Sequence, residues 1–143
     1  MATPLQIVID CADPDRLATF WAEAIHYKLQ DPPKGYASWQ DWLREQGIPE
    51  EEWNSASAVV DPDGRGPRIY FQRVPEQKTV KNRLHLDLNQ GARETPADER
   101  RSLVNAEVER LKGLGATELY HGEQYGEYWV TMADPEGNEF CVQ

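Results

Sequence analysis

Three side chains able to do chemistry stand at alternate positions of one short stretch. They are Arg83, His85 and Asp87, in Asn82-Arg83-Leu84-His85-Leu86-Asp87-Leu88. An imidazole titrates near neutral pH, binds metals and pairs with acids, so His85 can serve as a metal ligand or a pocket acid/base. It can equally be a satisfied histidine held by Asp87, Asp10 or Tyr70. Asp10 holds a similar place in the first apolar stretch. Asp10 and Asp87 could together bind a cation or pair with Arg73 and Arg83; pairing is expected, because buried carboxylates need partners. His26 and His121 fall in expected loops or helix ends and read as solvent-exposed. No serine sits in a recognisable Ser-His-acid setting, and Gly64-Arg65-Gly66 is too short for a phosphate loop.

The strict alternation of 82–88 predicts a strand, with Leu84, Leu86 and Leu88 in a core and the polar positions lining a ligand pocket. Leu5 to Asp10 reads as an earlier strand, rich in β-branched residues. Asp13-Pro14 then opens a helix whose apolar face is Leu17, Phe20, Trp21 and Ala24. Tyr27 to Gln30 is a weak strand. Residues 35–55 form an insertion holding Tyr36, Trp39, Trp42 and Trp53, with a short helix from Ser38 to Gln46. Its rings read as packing anchors or as a lid. Ser57–Val60 and Arg68–Val74 make a hairpin across Asp61-Pro62-Asp63-Gly64, a type I turn sequence.

The second half repeats this order. After the 82–88 strand, Thr95-Pro96 opens a helix running to about Lys112, with Leu103, Val104, Val108 and Leu111 inward. A short strand, Thr117–Tyr120, and a longer one, Glu127–Ala133, follow. Tyr128 and Trp129 alternate on the latter, so one of them points into the pocket. Asp134-Pro135-Glu136-Gly137 gives a second turn and Glu139–Gln143 a last strand. The halves make one βαβββ unit used twice, an α+β architecture of two curved, mostly antiparallel sheets.

A chain of 143 residues suits a single domain with a real core. The net charge of −10 argues against nucleic acid and anionic membrane surfaces. No run approaches the ~20 apolar residues of a bilayer span, and no secretory signal is visible. Cys11 and Cys141 are expected to be free and buried, and the cytoplasm is the expected compartment.

Val74-Pro75-Glu76-Gln77-Lys78, Lys81 to Leu88 and Asp134-Pro135-Glu136-Gly137-Asn138-Glu139-Phe140 together resemble glyoxalase-like domains of the vicinal-oxygen-chelate superfamily. That superfamily also includes bleomycin-resistance proteins and extradiol dioxygenases. The resemblance covers nearly the whole chain. It implies one glyoxalase-like domain over 1–143, with module one at 1–75, a linker at 76–81 and module two at 82–143, the sheets curling into a funnel. In the superfamily's enzymes a divalent metal sits in the funnel, on residues from the first and last strands of each module. Those first-strand places fall on Gln6 and His85. The last-strand place, which normally holds an acid, falls on Cys141, and its counterpart in module one on Tyr70. Glu139 shares a strand face with Cys141 and is a displaced acid. The resemblance thus implies zinc, nickel, manganese or iron on His85, Gln6 and Glu139. Because the usual carboxylates are missing, the residues predict a small-molecule-binding protein without an intact catalytic metal site. Its expected pocket is Gln6, Tyr70, His85, Asp87, Trp129 and Cys141. The alternatives are a metal-dependent lyase, isomerase or dioxygenase with an altered ligand set, and a non-catalytic interaction module. A homodimer is compatible with the resemblance.

Overall fold

The computed structural model describes residues 1–143, in two compact units, Met1–Gln77 and Lys78–Gln143. In the first unit, β1 (Ile7–Cys11) leads into α1 (Pro14–Ala24) and β2 (Lys28–Leu29). Then come α2 (Trp39–Glu45), a 3-10 turn at Glu50–Glu52, β3 (Ala56–Val60) and β4 (Ile69–Arg73). The second unit has β5 (Asp87–Leu88), α3 (Ala97–Leu114), β6 (Thr117–Gln124), β7 (Glu127–Ala133) and β8 (Glu139–Val142). The sheet orders are β1-β4-β3-β2 and β5-β8-β7-β6. In each, the first strand runs parallel to the last and every other neighbour is antiparallel. The fold is therefore α+β, with one βαβββ topology occurring twice, as the sequence repeat predicts.

Local chemistry explains the first unit. Asp13 accepts the Arg16 N–H at 3.2 Å and Pro14 takes the first helical position, so α1 starts where the cap and the missing N–H allow. Leu17, Ala18, Phe20, Trp21 and Ala24 are buried and cover β3 and β4, where Val59, Ile69 and Phe71 are also buried. The β3–β4 turn closes as its residues require. The Gly64 N–H donates to the Asp61 carbonyl at 3.0 Å, and Gly64 takes φ +68°, which suits a residue without Cβ. The insertion's rings bond within their own unit. Trp39 Nε1 donates to the Gln30 carbonyl at 2.8 Å, Trp53 Nε1 to that of Ile48 at 2.8 Å, and Trp39 meets Trp42 edge to face.

The second unit corrects several expectations. The 82–88 strand is reduced to Asp87–Leu88, and Leu84 is 89% exposed. The cause is register. Asp87 stands opposite Cys141 in a parallel pair, so position 85 falls level with Glu139, where β8 begins, and position 83 with Gly137 in the turn. Upstream of His85 there is no strand to pair with. Thr95 does not cap α3; its hydroxyl accepts the Ala92 N–H at 2.8 Å, and the helix starts after Pro96. α3 runs to Leu114, two residues beyond the expected Lys112, and is capped by Gly115 in the left-handed conformation, φ +114°. Val104, Val108 and Leu111 are buried as expected, but Leu103 is 39% exposed. β6 runs to Gln124, four residues beyond the predicted Tyr120. Tyr125 and Gly126, at φ +54° and +78°, make the tight two-residue turn that holds it to β7. No helix is long and apolar enough to cross a membrane.

Candidate functional site

β7 and β8 are pleated, so alternate residues divide between two faces. Val130, Met132, Phe140 and Val142 are buried on the face covered by α3. Trp129, Thr131, Glu139, Cys141 and Gln143 fall on the other. With Lys81, His85, Asp87 and Tyr120 they line a cavity of about 320 Å³, within the size range of small-molecule pockets. Tyr128, the alternative to Trp129, leaves the pocket. Its hydroxyl donates to Asn105 of α3 at 2.7 Å, and the Arg101 guanidinium lies 4.2 Å over its ring. The Trp129 ring has space because its cross-strand partner is Gly122; a Cβ there would lie 2.4 Å from Trp129 Cζ2.

Three chemical groups meet on this face. His85 Nδ1 is 2.8 Å from Asp87 Oδ1, and one donor atom each from His85, Asp87 and Cys141 lies within 4.8 Å of the others. Cys141 Sγ is 3.5 Å from the Thr131 hydroxyl. Burial pushes the Cys141 thiol above its ordinary value; Thr131 pulls against that and the Asp87 carboxylate adds to it. Asp87 thus pairs with an imidazole, not with Arg83, while Arg73 pairs with Glu52 at 3.3 Å rather than with Asp10. The donor set suits a zinc-like ion: nitrogen, oxygen and sulfur from three residues is the usual count for a metal that keeps an open position. Asp87 already bonds His85 Nδ1, so it can act as a ligand or as the acid that orients the ring.

Glu139 borders the cavity with both oxygens engaged. Oε2 accepts the Asn82 N–H at 2.9 Å and Oε1 the Lys78 ammonium at 3.2 Å. Burial alone would raise its carboxyl, but the Asn82 N–H and the Lys78 charge outweigh that and hold it below its ordinary value. Lys78 also donates to the Val80 carbonyl. Glu139 therefore ties the segment before β5 to the start of β8, and it does not join the three-donor cluster.

Gln6 and Tyr70 belong to the first unit, where both meet Arg68, a residue that sequence reasoning passed over. Arg68 Nε donates to Gln30 Oε1 at 2.7 Å and Nη1 to Gln6 Oε1 at 2.9 Å, and its guanidinium carbon lies 5.2 Å over the Tyr70 ring. The amide oxygen expected on a metal thus accepts from an arginine. Neither Cys11 nor Cys141 is in a disulfide; the first is buried and the second partly so.

The model of the glyoxalase-like domain family matches residues 6–143. The chain belongs to that family. No curated protein matches it in sequence. Among solved structures, glyoxalase-like folds superpose along its whole length. The fosfomycin resistance protein FosX from Listeria monocytogenes, in a complex with Mn(II) and 1S,2S-dihydroxypropylphosphonic acid, gives a TM-score of 0.63 at 13% identity, covering 100% of this chain and 90% of its own. A glyoxalase/bleomycin resistance protein/dioxygenase family enzyme from Burkholderia phytofirmans gives 0.61 at 15% identity, with coverage of 96% and 94%. FosX from Mesorhizobium loti gives 0.61 at 10% identity, with coverage of 100% and 91%. Likeness at these identities establishes the glyoxalase-like fold and leaves the chemistry to this chain's own residues.

Proposed function

We propose that this glyoxalase-like protein binds a small molecule in the second-unit cavity. The observation that carries the reading is the composition of that one sheet face. Trp129 and Tyr120 supply apolar area, while Lys81, His85, Asp87 and Gln143 supply converging polar groups beside a cavity of about 320 Å³. Aromatic walls with a few placed polar groups are what small organic ligands select. The cytoplasm is the proposed compartment, on two cysteines that form no disulfide, and one glyoxalase-like domain over both units, free to pair as a homodimer, is the proposed organisation.

A second reading is a metal-dependent lyase, isomerase or dioxygenase, and the His85, Asp87 and Cys141 cluster favours it. Those residues would hold a divalent ion, and such an ion supplies Lewis-acid polarisation of a substrate oxygen. His85 would bind through the nitrogen that does not face Asp87. Cys141 would have to give up its proton, which its raised pKa makes harder. Trp129 and Tyr120 would position the organic part and exclude water. The FosX complex contains Mn(II) and 1S,2S-dihydroxypropylphosphonic acid, which supports a metal in this fold.

Elemental analysis of the purified protein decides between the readings, alongside a thermal-shift screen of small metabolites with and without Zn(II), Ni(II), Mn(II) and Fe(II). The binding reading expects shifts from organic ligands that need no metal and that fall in Trp129→Ala. Stoichiometric metal, lost in both His85→Ala and Cys141→Ser, replaces it with the second reading. Absence of any ligand shift, with or without metal, refutes both.

A further inference from the structure

The first unit carries a basic group that its own acids do not neutralise. The chain has 25 acidic and 15 basic residues, and nine ion pairs form along it, yet none includes Arg68. Its partners are two neutral amide oxygens and one aromatic face. Gln30 Oε1 takes Nε at 2.7 Å, Gln6 Oε1 takes Nη1 at 2.9 Å, and Tyr70 lies beneath the guanidinium at 5.2 Å. These contacts come from three places in the chain. Gln6 immediately precedes β1, Gln30 follows β2, and Arg68 and Tyr70 flank the start of β4. They fix the guanidinium plane without cancelling its charge.

A guanidinium has five N–H donors. Two go to the glutamines, so three remain, two on Nη2 and one on Nη1. Paired donors on adjacent nitrogens match the two oxygens of a carboxylate or a phosphonate. Arg68 is half-buried, so an anion meeting it gives up part of its hydration in exchange for fixed donors. An ordinary solvated arginine samples many rotamers and forfeits that freedom on binding; a side chain already held by two hydrogen bonds and a ring has little left to lose.

We propose that Arg68, braced by Gln6, Gln30 and Tyr70, is an oxyanion-binding site in the first unit that takes the acid group of a small organic molecule. The site is built from first-unit residues alone. It also gives Gln6 and Tyr70 a shared task, as the amide and the ring that aim an arginine.

The test is an NMR titration of the full chain at constant ionic strength, following the Arg68 Nε–Hε resonance. The probes are acetate, methylphosphonate and inorganic phosphate, with chloride as the control. The proposal expects a saturable shift with at least one oxyanion and none with chloride. Acetate alone would assign a carboxylate, and methylphosphonate or phosphate a tetrahedral group. Arg68→Gln should weaken binding about tenfold or more, the usual effect of deleting a charged hydrogen-bond donor. Arg65→Gln removes the same charge from the exposed β3–β4 turn and should leave binding unchanged. Should Arg68→Gln fail to fold, Gln6→Leu and Gln30→Leu each keep the charge and loosen its aim, and should weaken binding severalfold. A linear, unsaturable shift with every anion, equal loss in Arg65→Gln, or full affinity in both glutamine variants would overturn the proposal.

Discussion

Gly122 is the residue on which the shape of the second-unit cavity turns. A Cβ at this position would lie 2.4 Å from Trp129 Cζ2, 2.8 Å from Cε2 and 3.0 Å from Cη2. Carbon atoms rest at about 3.5–4.0 Å, so Gly122→Ala forces the ring to retreat by roughly 1 Å. Overpacking of this kind costs about 1–3 kcal/mol. Gly122 keeps a negative φ, so alanine fits the backbone there and recovers about 0.5–1 kcal/mol of the entropy that glycine loses on folding. Taking the middle of each range, the net expectation is a loss of about 1.25 kcal/mol. For a chain of this size that lowers Tm by roughly 4–6 °C, at about 3–5 °C per kcal/mol.

Circular dichroism melts measure the loss, and near-ultraviolet dichroism reports whether the indole has moved. A double-mutant cycle isolates the cause. In the Trp129→Leu background the ring is gone, so Gly122→Ala should cost nothing or stabilise slightly. Equal cost in both backgrounds, or no cost in the wild type, would mean that Gly122 does not make room for Trp129. The wall assigned to the cavity would then be wrong.

Two further outcomes follow from the first unit. The Asp61 carboxyl is held below the ordinary 3.8 by N–H groups of Asp63, Gly66 and Arg65, with bonds of 2.9, 2.7 and 3.0 Å. The unfolded chain therefore takes up this proton first, so the stabilisation is complete above pH 3.8 and is lost as pH falls through the lower folded-state value. Urea melts should show Asp61→Asn less stable than wild type at pH 6, with the gap closing as pH falls below 3.8; a pH-independent gap would contradict this. Phe71 is fully buried under α1, so Phe71→Ala should cost about 3–5 kcal/mol by chemical denaturation, and a loss under 1 kcal/mol would place the core elsewhere.

Much of this fold was legible because its signals are local. Asp13-Pro14 marks a helix start, and the Asp-Pro-acid-Gly sequence marks both hairpin turns by the needs of four consecutive residues. In the second turn, as in the first, the last glycine closes on the first aspartate's carbonyl, here at 2.9 Å. Wherever the outcome depended on a partner strand, local pattern was a poorer guide. Leu84 alternates with Leu86 and Leu88 as a core residue should, yet β8 starts too late in the chain to pair with it. The far half of β6 reads as polar loop, because His121, Glu123 and Gln124 are exposed; only Tyr125-Gly126 hinted at the turn that makes it a strand.

The candidate sites divide along the same line. His85 and Asp87 were legible as chemistry because they are two residues apart on one strand face. Cys141 joins them through the parallel β5–β8 pair. Arg68 was not legible. It stands just before an apolar strand, where an arginine usually meets solvent, and its amide partners lie 62 and 38 residues away. The two units share one topology, so the backbone offers the same positions twice. At the pair joining first strand to last, the first unit sets Val8 against Tyr70 and the second sets Asp87 against Cys141. A ring beside an arginine suits an anion, whereas a carboxylate beside a thiol and an imidazole suits a cation or a proton. The repeat supplies the frame, and the side chains at matching places decide what each copy can bind.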